Sequence, residues 1–251
     1  VVHGTWFTIL THIMVARALA DVRASYNQAL GYIAALGGTN AIDSLLSGLR
    51  WQNGEISYSF PVGGSTFQTD YSPDQEPWTG FETTTTAQRT GIRQALAAWA
   101  AVANLSFSEV TEPGASGVIR LAQSSAPDTA WSYYPDADES GGDVWFGYQY
   151  NYDNPHWQTY ADYAYMTMVH ELGHSLGLKH PGHYSSSDEA PYASAAIDAL
   201  QYSIMSYLSY PGASQDVSVR STSYPQTPMM HDIAAIQYMY GANFDYNSGN
   251  T

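Results

Sequence analysis

Residues 170–180 read H-E-L-G-H-S-L-G-L-K-H. On a helix, His170 and His174 lie one turn apart on the same face, so both imidazoles can reach one ion. Glu171 stands beside the first of them, where its carboxylate can reach a water on that ion without being a ligand. Gly177 can take a backbone conformation that other residues resist, which lets the helix end and the chain turn. His180 then approaches the same ion from the far side of the turn. Three nitrogens and one open position are the donor set of a catalytic zinc ion, with Glu171 as general base. The short H-E-x-x-H pattern arises by chance, but a glycine and a third histidine at fixed spacing make coincidence very improbable.

A second element follows downstream, Ser203-Ile204-Met205-Ser206-Tyr207. Zinc motif and methionine turn together resemble those of the metzincins, in which Met205 would supply a soft thioether floor beneath the histidines without binding metal. Flanking pieces narrow the resemblance to the catalytic domain of serralysins. They include Asp43-Ser44-Leu45-Leu46-Ser47-Gly48 with Arg50-Trp51, Tyr58-Ser59-Phe60-Pro61, Val102-Ala103-Asn104-Leu105 and Thr129-Ala130-Trp131. Gly141-Gly142-Asp143-Val144-Trp145-Phe146, Tyr224-Pro225-Gln226-Thr227 and Tyr240-Gly241-Ala242-Asn243 complete the set.

The resemblance implies a zinc-dependent endopeptidase with an α+β, zincin-like fold. Its twisted, mostly parallel sheet has an antiparallel edge strand, beside a long active-site helix and neighbouring helices. It implies that Tyr207 is a fifth zinc ligand at rest and an oxyanion donor during turnover. Polypeptide substrate is expected to lie extended along an edge strand at Gly142, Asp143, Val144, Trp145 and Phe146. It also implies a bacterial protein secreted from the cell and acting as a monomer. Serralysins usually continue into a calcium-binding β-roll of glycine-rich repeats, and no G-G-x-G-x-D repeat occurs here. Calcium is therefore expected in a longer parent that carries the roll, unless this is a natural variant without it.

Several elements must position these residues. A helix is expected from a cap at Thr86 to about Ala103, with Ile92, Ala95, Leu96 and Trp99 as its apolar stripe. Strands are expected at Ile56–Phe60, Leu105–Val110, Val118–Ala122 and Asp143–Phe146. The zinc-motif helix should run from about Tyr165 to Leu176, and a last helix over His231–Tyr240 should stop at Gly241. Residues 181–230, rich in Ser, Tyr, Pro and Gly, read as irregular loop.

Residues 1–36 read as a separate helical segment ending at the breaker Gly37-Gly38-Thr39-Asn40, with residues 37–251 as the catalytic domain. Such a segment either packs on the main domain, which is the favoured reading, or covers the cleft as a pro-segment. His183 is expected on the cleft rim, and His3, His12, His156 and His231 in structural roles. Asp136, Asp138 and Glu139 read as a solvated acidic loop.

Composition bounds the alternatives. Acids outnumber bases 23 to 8, a net charge of −15, which argues against nucleic acid or an anionic membrane as partner. The chain has no cysteine, which excludes disulfides, thiolate zinc sites and cysteine-based latency. No apolar run is long enough to span a bilayer. Another metzincin branch, and a non-catalytic module with structural zinc, are the competing readings. The intact Glu171 favours catalysis, because a structural site needs no base.

Overall fold

The computed structural model describes residues 30–33, 40–147, 162–214 and 223–246. A five-stranded sheet forms its centre, made of β3 (Glu55–Ser59), β4 (Ser106–Val110), β5 (Ile119–Ser124), β6 (Ala130–Ser132) and β7 (Val144–Gly147). Their order is β4-β3-β5-β7-β6; the first four are parallel, and β6 runs antiparallel at the edge. This is the expected α+β architecture, with its antiparallel edge strand. Period-two alternation divides the side chains between two faces. Ile119, Leu121, Val144 and Phe146 join the main core with the helices, while Ala122 and Trp145 pack on the other face with Tyr71, Phe67 and Phe81.

Helix α2 (Thr86–Val102) is capped by Thr85 rather than the expected Thr86. Thr85 Oγ1 accepts from the Gln88 amide at 3.2 Å, and Gln88 Oε1 accepts from the Thr85 amide at 2.7 Å. This reciprocal box satisfies two otherwise orphaned donors. Trp99 of α2 is fully buried and donates its indole N–H to the Val169 carbonyl at 3.1 Å. That bond locks α2 against α3 (Tyr163–Ser175), the zinc-motif helix. Helix α3 starts two residues earlier than expected, because the Asp162 carboxylate caps the Ala164 amide at 3.0 Å. Helix α4 (Met230–Tyr240) ends at Gly241, with φ of 86°, and among the described residues of 181–229 there is no helix or strand.

Two expectations are corrected. The segment 1–36 is not wholly helical: Leu30–Tyr32 forms strand β1, paired antiparallel with β2 (Leu49–Trp51). A boundary at 37 would therefore cut β1 from its partner; residues 1–29 and 34–39, with His3 and His12, lie outside the described residues. Three-residue strands carry too few alternations to be read from sequence, which is why β1, β2 and β6 were not foreseen. Short helix α1 (Asn40–Asp43) leads into Leu45 and Leu46 of the core.

The second correction concerns the expected substrate strand. Strand β7 is hydrogen-bonded to β5 on one side and β6 on the other, and Asp143, Val144, Trp145 and Phe146 are all buried. With both edges paired, it has no main-chain groups to offer a substrate. The sheet edge on this side is β6. Gly142, with φ of 78°, instead makes the turn into β7 against the Trp51 ring.

Candidate metal centre

Helix α3 presents His170, Glu171 and His174, all buried. The chain leaves the helix through Gly177, whose φ of +104° favours glycine and whose Cβ, if present, would stand 2.1 Å from the Leu49 carbonyl oxygen. The turn is closed by Gly177 N–H to the His174 carbonyl at 2.8 Å and Leu178 N–H to the Gly173 carbonyl at 2.9 Å. Lys179 N–H then bonds the Leu45 carbonyl at 2.8 Å, fixing the backbone just before His180.

These constraints bring the three imidazoles together. His180 Nε2 lies 3.2 Å from His170 Nε2 and 3.1 Å from His174 Nε2, and one ligand atom from each of the three lies within 4.8 Å of the others. The opposite ring nitrogens face acceptors: His170 Nδ1 the Ile204 carbonyl at 2.8 Å and His174 Nδ1 the Leu178 carbonyl at 2.7 Å. His180 Nδ1 faces Asp188 Oδ1 at 3.4 Å. Protons on the Nδ1 atoms leave three Nε2 lone pairs converging on one point, an arrangement that repels itself without a cation. Burial pushes His170 down to about 4 and His180 to about 3, and holds His174 well below the usual imidazole range. All three are thus neutral ligands. Tetrahedral zinc with bonds of about 2.0–2.1 Å separates its nitrogens by roughly 3.3 Å, so this donor set fits zinc.

Glu171 has an Oε2 atom with no hydrogen-bond partner although it is buried, and burial alone pushes its carboxyl up to about 8. An orphaned buried acceptor at this position fits a cation and a water beside it. Met205 is fully buried beneath the helix, and Gly173 makes room for it. Its turn is held by Asp232, which accepts from Ser203 Oγ at 2.6 Å and the Ile204 amide at 2.7 Å. Since the Ile204 carbonyl faces His170 Nδ1, Asp232 reaches the centre through the backbone of one residue.

Tyr207 lies on the same side. Its ring centroid is 4.3 Å from that of His180 and 5.8 Å from that of His170, nearly parallel to the latter. Burial first, then the nearby Glu171, raises its phenol pKa, so the hydroxyl keeps its proton. The cleft beside these groups has a volume of about 550 Å³ and is lined by β6, Tyr134, Lys179, the loop 187–190 and Tyr207.

The expected residues His170, Glu171, His174, His180, Met205 and Tyr207 converge. Gly142 and Asp143–Phe146 do not line the cleft. His183 is exposed and packs on Tyr192 at 5.1 Å, while His231 stacks on Tyr202 at 5.2 Å; His156 lies outside the described residues. Glu139 is no solvated loop residue, since it accepts from Gln68 N–H at 2.6 Å and reaches Arg120 Nη1 at 3.4 Å. Asp136 and Asp138 are exposed as expected. Sequence reasoning missed Asp188, Lys179 and Tyr134, whose ring meets His174 edge-on at 5.6 Å. Asp188 and Tyr134 come from irregular segments with no periodic signal; Lys179 sits inside the motif, where only its burial marks it.

The profile of the matrixin family, Peptidase_M10, matches residues 68–195. The chain belongs to the matrixin family. Its serralysin-type character is carried by relatives. Serralysin C of Dickeya chrysanthemi is 36% identical over 190 residues, covering 72% of this chain and 38% of that protein. A serralysin of Photorhabdus sp. is 31% identical over 216 residues, covering 81% and 44%. Metallopeptidase AprA of Pseudomonas marginalis is 32% identical over 209 residues, covering 79% and 43%. The matched chain thus spans roughly two fifths of the length of these relatives. Among the described residues, no helix is long and apolar enough to cross a membrane.

Proposed function

We propose that this chain is the catalytic domain of a zinc endopeptidase that hydrolyses internal peptide bonds. The observation that carries this reading is the orphaned, buried Glu171 Oε2 beside three converging, neutral imidazole nitrogens. His170, His174 and His180 would hold zinc, which supplies Lewis acidity and lowers the pKa of a bound water to about 7.

The chain's own residues do the rest. Glu171 takes the proton of the attacking water on Oε2 and delivers it to the leaving amine. Tyr207 keeps its phenolic proton and donates it as a hydrogen bond to the oxyanion. At rest the same hydroxyl would be available to bind the zinc. Substrate extends along β6, the edge strand whose residues line the cleft, and pairs with it through main-chain hydrogen bonds. The reading includes secretion as a monomer, with calcium bound only where a longer parent carries a β-roll.

Zinc content and hydrolysis of unfolded casein, with and without chelator, test the reading. One zinc per chain and chelator-sensitive cleavage are expected. Glu171→Ala should keep zinc and lose most cleavage; loss of both together would mean that Glu171 is not the base. Zinc without any cleavage by the unaltered chain would make the site structural.

A further inference from the structure

We propose that Tyr184 is a positioning residue that holds the Tyr207 phenol in place over the histidine cluster. This rests on the reading of Tyr207 as oxyanion donor. The two rings are stacked, with centroids 5.0 Å apart and planes 16° from parallel. Tyr184 has its backbone and its hydroxyl fixed from different sides. Its amide donates to Asp188 Oδ2 at 2.8 Å, and Asp188 Oδ1 faces His180. Its hydroxyl donates to Asp198 Oδ1 and lies 3.1 Å from Ser206 Oγ.

The same carboxylate sets the residue before Tyr207. Ser206 Oγ donates to Asp198 Oδ1 at 2.6 Å and accepts from the Leu208 amide at 3.1 Å. Asp198, itself buried, therefore fixes the Tyr184 hydroxyl and the backbone on both sides of Tyr207 in one network. Gly182 leaves the necessary room, because a Cβ there would stand 2.3 Å from the Tyr184 ring and 2.4 Å from Asp198 Oδ2. An aromatic that merely filled space would need no hydroxyl so engaged. A donor that must meet a developing oxyanion needs its ring angle set to within tens of degrees, and a stacked, anchored neighbour sets it.

The test uses the zinc-loaded protein with Tyr184→Leu, Tyr207→Phe and the double variant, measured for kcat, KM and zinc affinity. Tyr184→Leu should lower kcat about tenfold with KM and zinc affinity little changed, and should have almost no effect in the Tyr207→Phe background. Equal losses in both backgrounds, or a fall in zinc affinity, would overturn the proposal, since Tyr184 would then act independently or through His180. Wild-type rates for Tyr207→Phe would instead remove the catalytic reading of Tyr207. The positioning claim is then decided by the crystal structure of Tyr184→Leu: a displaced or multiple Tyr207 rotamer supports it, and an unmoved ring overturns it. If Tyr184→Leu does not fold, Tyr184→Phe keeps the stack and removes the anchor. The same cycle is then read from a smaller fall in kcat, about two- to fivefold.

Discussion

Gly173 stands directly over the Met205 sulfur: a Cβ at position 173 would lie 2.6 Å from Sδ and 3.2 Å from the Trp99 ring. The helix that carries the ligands thus rests on the methionine turn without an intervening side chain. Because Met205 and Trp99 are fully buried, neither can swing away into solvent. Gly173→Ala should therefore overpack the floor and cost about 1–3 kcal/mol. Gly177→Ala should cost more, since its Cβ meets backbone, the Leu49 carbonyl, and its φ is positive. Urea denaturation of the two variants checks the order; a Gly177→Ala protein as stable as Gly173→Ala would contradict it.

Asp232 ties the methionine turn to α4, and its burial raises its carboxyl from 3.8 to about 6. A carboxyl with a raised folded-state pKa favours the native state most when protonated. Its contribution is present in full below about 4 and is lost as pH rises through 6. Asp232→Asn has no such titration, so its penalty relative to the unaltered chain should be larger at pH 4 than at pH 7. The difference has an upper limit of about 3 kcal/mol. Metal-stripped protein unfolded in urea at both pH values measures it. A penalty that grows towards pH 7 would mean that the ionised carboxylate is the stabilising form.

How much of this was legible in the sequence follows from the kind of signal each part carries. His170, His174 and Gly177 declare themselves because helix geometry fixes what their spacing means, and α2 does so through the stripe from Ile92 to Trp99. Strand β7 was found, but its place in the sheet was not, because order depends on pairing with the three-residue β6. Met205 and Tyr207 were legible only by resemblance; nothing local distinguishes them from core residues. Asp188 and Tyr184 reach the site from the irregular segment after His180, where side-chain direction follows no period.

The edge strand gives a prediction of its own. Buried Glu76 accepts from the Trp131 indole at 2.8 Å and from the Tyr133 hydroxyl, gripping β6 and the residue following it. Glu76→Ala leaves both donors without that acceptor, at a cost of about 1–3 kcal/mol. If substrate pairs with β6, the loosened strand should raise KM for peptides more than it lowers kcat. Steady-state kinetics on a short peptide and a Tm measurement read the two effects separately. An unchanged KM in a destabilised but folded variant would separate β6 from substrate binding.

The last prediction concerns the segment before Asn40. Leu30–Tyr32 pairs with β2, and β2 lies against the turn that delivers His180, since Leu49 O is the group Gly177 must pass. Trp51, at the end of β2, is buried and donates its indole N–H to the Ser175 carbonyl at 2.9 Å, at the C-terminus of α3. A chain starting at residue 37 would strip β1 from this edge and expose its main-chain groups. Lower Tm and no gain in peptidase activity are expected, with zinc affinity reduced to the extent that the β2 support loosens. A chain starting at residue 30 keeps the pair and should retain that support. A sharp rise in activity on truncation, from either start, would show instead that the segment restrains the enzyme as a pro-segment.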